Sequence, residues 1–214
     1  MKGKYWPFVG LGFGACQVAG LFMDDQPPTD GPAADLAAFY AGRFHLELIV
    51  AGFLVAAAGI FLAVFAGLIR ERLGAREPGL VAIAYASGLL YAALLIVGAA
   101  VMSTIPVARA VNDVPPPSPD VARYVVSAGY AMIVWVATLP AAAFIISTSL
   151  AAMRARTIPA WVGWAGFVAA VFNVAFITVG PIGWMLLWTV VFTIAWVRRG
   201  APERQALGVA KAAV

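Results

Sequence analysis

The sequence is short of the residues with which soluble proteins meet water. Asp, Glu, Lys and Arg make up 11% of its 214 residues, against about 25% in an ordinary soluble domain. A water-facing surface cannot be built from so little charge, and a soluble globular domain is excluded. Cysteine occurs once, at Cys16, which excludes an internal disulfide and a multi-cysteine metal centre. Histidine also occurs once, at His45; a bis-histidine haem is excluded and a zinc site has too few ligands. No Walker loop, HExxH helix or nucleophile elbow occurs. The stretch "GLGFG" lacks the strand–turn–helix setting of a nucleotide loop. No lysine falls within an apolar run, so retinal would have no amine to attach to. No metal and no cofactor is expected.

What is present is long apolar runs. Hydrophobic residues make up 63% of the chain and the mean hydropathy is +0.92. Runs at 5–23, 46–69, 80–103, 124–153, 159–178 and 182–197 are each suited to crossing a hydrocarbon core of about 30 Å at 1.5 Å per residue. The last two are separated by "VGPIG" and read as a hairpin, because a single helix over both would exceed any ordinary tilt. The fold class expected is all-α: one polytopic transmembrane helix bundle over 1–214, with six spans and a flexible tail at 200–214.

Basic residues set the orientation. Lys2, Lys4, Arg70, Arg72, Arg76, Arg154, Arg156, Arg198, Arg199, Arg204 and Lys211 fall on one side of such a bundle; Arg43, Arg109 and Arg123 fall on the other. By the positive-inside rule both termini are cytoplasmic and the protein is a multi-pass protein of the cytoplasmic membrane. The net charge of +4 is then a topology signal facing membrane lipid, and nucleic acid is not an expected partner. The run at 5–23 reads as a retained helix, since the apolar stretch continues past Cys16 through "QVAGLFM".

The two outer loops are the longest. The first starts as Pro/Gly/Asp coil and turns helical after Pro32; the second contains the stiff "VPPPSPD", with Ser118 and Pro119 able to start the next helix. Tyr5, Trp6, Tyr124, Trp161, Trp164, Trp184 and Trp196 stand near span ends and suit interfacial anchoring.

Two groups of polar residues could carry chemistry. In "YAGRFHLEL", Arg43 and Glu47 are four apart on one helix face, while His45 lines up with Gly52, Ala56, Gly59, Ala63 and Ala66, a stripe where another helix can approach closely. The group reads first as an interfacial anchor and second as a titratable pair at the mouth of a cavity. Deeper, Gln17, Tyr91 and Asn173 lie at similar offsets along spans running the same way, and Thr138 with Pro140 reaches a comparable depth. These four side chains are either hydrogen bonds between helices or the polar floor of a pocket for a lipophilic molecule. Pro140 cannot donate a backbone hydrogen bond, which frees the carbonyl of Val136 and kinks the span. Ser147, Thr148 and Ser149 can bond back to their own helix.

The stretch "RTIPAWVGWAGFVAAV" resembles the last hairpin of a group of poorly characterised six-helix integral membrane proteins of high-GC bacteria, a domain-of-unknown-function family. The resemblance rests on Arg156, Pro159, Trp161, Gly163, Trp164 and Gly166, and on "FYAGRFH" ahead of the second span. It implies a six-helix bundle and brings no catalytic residue with it. Three functions fit the residues. The first is binding or moving a lipophilic small molecule, or serving as a subunit among other membrane subunits. The second is an intramembrane acid–base enzyme, an isomerase or cyclase on a prenyl-type lipid, using Glu47, His45 and Tyr91. The third is a proton-coupled transporter with Glu47 buried.

Overall fold

A computed structural model describes residues 7–23, 27–42, 46–175 and 181–212. Every regular element among them is helical: α1 Pro7–Met23, α2 Ala33–Gly42, α3 Leu46–Leu73, α4 Pro78–Met102, α5 Thr104–Asn112, α6 Pro119–Tyr130, a π turn at Ala131–Val136, α7 Thr138–Arg154, α8 Ala160–Ala175 and α9 Pro181–Ala212. Three helical stretches among the described residues are long and apolar enough to cross a membrane, Leu46–Leu73, Pro78–Met102 and the continuous Pro119–Arg154. Phe8–Met23, Ala160–Ala175 and Gly183–Arg198 are apolar but shorter. The segment "VGPIG" falls partly at 176–180, outside the described residues; α8 ends before it and α9 starts at Pro181.

Six helices close a ring in which α1 packs on α3, α3 on α4, α4 on α7, α7 on α8, α8 on α9, and α9 back on α1. In hydrocarbon there is no hydrophobic drive between helices, so close backbone approach and good van der Waals packing hold them. The small-residue stripe of α3 supplies this. A Cβ on Gly59 would come within 2.8 Å of the Ala92 carbonyl, and one on Gly52 would strike Ser103. The stripe therefore faces α4, as its pattern predicts.

The middle of the ring is filled by aromatic side chains. Phe65 meets Phe144 and Phe192 edge-on, with ring centroids 6.4 and 6.3 Å apart. Trp188 stands 5.8 Å from Phe144 and 5.0 Å from Phe192. Trp196, expected at the interface, is buried and packs edge-on against Phe192 at 5.2 Å. Its position on α9 repeats Phe192 and Trp188 at four-residue steps, which puts it on the inward face. Tyr124, Trp161 and Trp164 are exposed as expected, whereas Trp184 stacks on Phe172 at 4.7 Å; Tyr5 and Trp6 lie outside the described residues.

The two ends of the ring differ. At one, the turn after α3 meets the turn after α7: Arg76 donates to the Ala155 carbonyl at 3.3 Å, Arg154 stands 3.7 Å from Glu77, and Arg70 covers the Tyr85 ring at 4.7 Å. Here α7 ends in a Schellman closure, with Thr157 N–H on the Ala152 carbonyl and Arg156 N–H on that of Met153. At the other end Leu36 and Tyr40 of α2, Ile105 of α5 and Ala122 of α6 form a second small apolar core. Arg123 ties this cap together by donating to the Gly31 carbonyl at 2.8 Å. Helix α2 begins directly after Pro32, and α6 starts with Ser118 ahead and Pro119 in its first turn. The sequence predicts no helix where α5 lies; a turn at Ser103 separates it from α4. Helix α9 runs on to Ala212, so helix continues into the stretch read as tail.

Candidate functional site

Under the cap, one part of the ring is left open. A cavity of about 90 Å³ lies between α1, α3, α4 and the π turn, with Pro27 and Tyr40 toward the cap. Its wall is largely aliphatic: Leu48, Ala51 and Val55 from α3, Ile133 and Val134 from the π turn. A space of roughly 10–15 Å³ is enough for one water, so this one admits several waters or part of a small lipophilic molecule. Among the described residues that line it there is no Asp, Glu, Lys, Arg or His.

Gln17 projects to this space from α1. It is 0% exposed, and neither Oε1 nor Nε2 has a hydrogen-bond partner in the protein. Burying an unpartnered polar group costs about 1–3 kcal/mol, and this side chain carries two such atoms. The surrounding glycines explain how it gets there. Gly20 lies three residues on, on the same face, and lets α1 approach α3 so closely that a Cβ would stand 3.0 Å from Val55. Gly10, on the same side about two turns before Gln17, meets Phe65 and Thr193.

The opposite wall is made by a local departure from α geometry. Ala137 N–H bonds to the Met132 carbonyl at 3.1 Å, five residues back, which widens the helix by one residue over Ala131–Val136. The wide turn presents Ile133 and Val134 to the cavity and Ala131 and Trp135 to a neighbouring cleft of about 470 Å³. Cleft and cavity share Pro27, Met102, Val126 and Tyr130; the cleft adds the polar Thr29, Asp30 and Ser127. Pro140 predicts a distortion in this span, and the distortion takes the form of this π turn, one helical turn ahead of the proline.

The four mid-depth residues do not meet as one group. Asn173 Nδ2 donates to the Thr138 carbonyl at 3.1 Å, joining α8 to α7, and the Thr138 hydroxyl donates to the Val134 carbonyl of its own helix. These two are bonds between and within helices. Tyr91 is buried in the apolar core and does not line the cavity; of the four, Gln17 alone does. Glu47 is exposed and is not part of the cavity wall, although its neighbour Leu48 is. Arg43 and His45 lie outside the described residues. Ser147 bonds back to the Ala143 carbonyl at 2.6 Å as expected. Ser149 instead accepts from Trp188 Nε1 at 3.1 Å, a bond between helices that the local pattern "ISTSL" does not reveal. Sequence reasoning also missed the aliphatic wall, since Ile133 and Val134 look like any lipid-facing pair until the π turn redirects them.

No protein-family model, curated protein or solved structure matches the chain.

Proposed function

We propose that this chain is a six-span protein of the cytoplasmic membrane, with both termini in the cytoplasm, that binds a lipophilic small molecule in the cavity under its outer cap. The layout is the one implied by the resemblance to six-helix bacterial membrane proteins. Two observations support it: the basic turns after α3 and α7 share one end of the ring, and the shorter apolar helices complete the ring begun by the three long ones. The binding reading rests on Gln17, a buried amide without a protein partner on an apolar cavity wall. A cavity with a mainly hydrophobic lining and a few polar groups, here Gln17 with Tyr40, Ser103 and Tyr130, is the usual form of a small-molecule site.

The proton-coupled reading needs Glu47 inside such a space, and it is exposed; the acid–base reading needs Glu47 or His45 together with Tyr91 at one cavity, and Tyr91 is buried in the core away from this one. An aromatic-filled centre likewise offers no continuous path through the ring. Binding is therefore the function that the geometry supports best. Native mass spectrometry of the full chain released from mild detergent tests it. The wild type is expected to retain a lipophilic adduct that Val126→Phe, which fills the space shared by cavity and cleft, loses while keeping its helical circular dichroism. A wild type that carries nothing and takes up nothing from a membrane lipid extract would refute the reading.

A further inference from the structure

We infer that the group held at the deep end of the cavity is a free hydroxyl on an uncharged lipid. This deepens the binding reading above and rests on it. Gln17 leaves two different needs unmet: Nε2 has donors to give, and Oε1 has lone pairs to receive. A ligand must therefore offer an acceptor and a donor within hydrogen-bond reach of one amide group. An ether, ester or ketone oxygen accepts from Nε2 and leaves Oε1 bare. An alkane answers neither. A hydroxyl answers both with one oxygen, accepting from Nε2 and donating to Oε1.

Charge narrows the class further. Among the described residues that line the cavity none is cationic, and against these a carboxylate or phosphate would be buried without a counter-charge, at a cost far above that of a neutral group. A primary amide also carries donor and acceptor, but it brings a further N–H to be satisfied in a largely aliphatic space. Anionic headgroups can still approach Thr29 and Ser127 in the outer cleft, although Asp30 there opposes them. The inner site is left to the neutral hydroxyl.

The test uses the full chain in lipid nanodiscs and a diazirine-bearing decanol that crosslinks to whatever it touches. Peptide mapping is expected to place the adduct in the segment holding Ala131–Val136. Unlabelled competitors are then compared at matched mole fraction in the bilayer: 1-decanol, its methyl ether, and decanoate held ionised at alkaline pH. The alcohol should displace the probe at a level roughly three- to tenfold below the ether, the worth of one donated neutral hydrogen bond, and decanoate should compete least. In Gln17→Met the alcohol and ether should become equal, while a diazirine-bearing alkane still labels the same segment, showing that the cavity persists. Equal competition by alcohol and ether in the wild type overturns the hydroxyl assignment and leaves cavity water as Gln17's partner. So does a preference that survives in Gln17→Met. If no probe, the alkane included, labels the cavity, the binding reading itself falls. The wild-type comparison needs no variant, so the assignment stays open to refutation even if Gln17→Met misfolds.

Discussion

Asn173 and Gln17 are both buried side-chain amides, and the protein treats them in opposite ways. Asn173 spends its N–H on the Thr138 carbonyl at 3.1 Å; Gln17 has no protein group within reach. The difference decides what their loss should do. Removing Asn173 by an Asn173→Leu change breaks a bond between α7 and α8, and such bonds contribute about 0.6–2 kcal/mol inside a membrane. We expect a loss of about 1 kcal/mol, read as a shift in the unfolding midpoint in mixed micelles, with ligand uptake unchanged. Removing Gln17 by Gln17→Met takes away two unpartnered atoms, and the empty protein should become more stable by about 1 kcal/mol or more. A destabilised Gln17→Met would mean that the amide has a structural partner after all. Trp188→Phe isolates a third case. It keeps most of the ring contact with Phe144 and Phe192 but drops the donor to Ser149, and should cost about 1 kcal/mol.

Where α4 crosses α6, at Gly98 and Gly129, backbone meets backbone from both sides. A Cβ on Gly98 would lie 3.1 Å from the Gly129 carbonyl, and one on Gly129 would lie 3.0 Å from that of Gly98. Backbone cannot retreat as a flexible side chain can, so Gly129→Leu should force α4 and α6 apart and destabilise the protein by about 3 kcal/mol or more, seen as loss of the folded monomer on size exclusion. How far these elements are legible in the sequence follows from what sets each one. Long apolar runs determine α3, α4 and the α6–α7 span directly, and the glycine stripe of α3 identifies its partner face. Helix α5 is hidden because "TIPVARAVN" is short and belongs to the cap rather than to a membrane-spanning run. The π turn is hidden because one extra residue in a turn leaves composition and periodicity almost unchanged; Pro140 hints at it but does not locate it. Equal depth also proved a weak guide to proximity. Asn173 sits on α8, whose neighbours in the ring are α7 and α9, while Gln17 sits on α1 between α3 and α9, so side chains at one level can belong to different neighbourhoods.

The whole ring makes sense only if alternate turns lie on opposite sides of the bilayer, and the lone cysteine makes that testable one residue at a time. Pro119–Arg154 runs unbroken from the cap to the basic end, a length of about 54 Å at 1.5 Å per residue. That exceeds the hydrocarbon thickness of about 30 Å, enough for both ends of this helix to emerge from a membrane that it crosses. In the proposed topology the cap bond between Arg123 and Gly31 and the basic-end contact between Arg154 and Glu77 lie on opposite faces. In a Cys16→Ser background, Thr29→Cys should react with a membrane-impermeant maleimide in intact cells, and Ala155→Cys only after the membrane is opened. In the proposed six-span topology, cysteines placed at Lys4 and at Lys211 should behave like Ala155→Cys. Cluster removal supplies the energetic counterpart: replacing Arg70, Arg72 and Arg76 together by Gln weakens the charge bias that orients α3 and α4, and should raise the fraction of molecules labelled at Lys211→Cys in intact cells. Labelling of Thr29→Cys and Ala155→Cys from the same side would break the topology. Labelling of Lys4→Cys and Lys211→Cys from opposite sides would leave the helical ring standing but require an odd number of crossings, and the cavity would then have to be reassigned to whichever face the cap occupies.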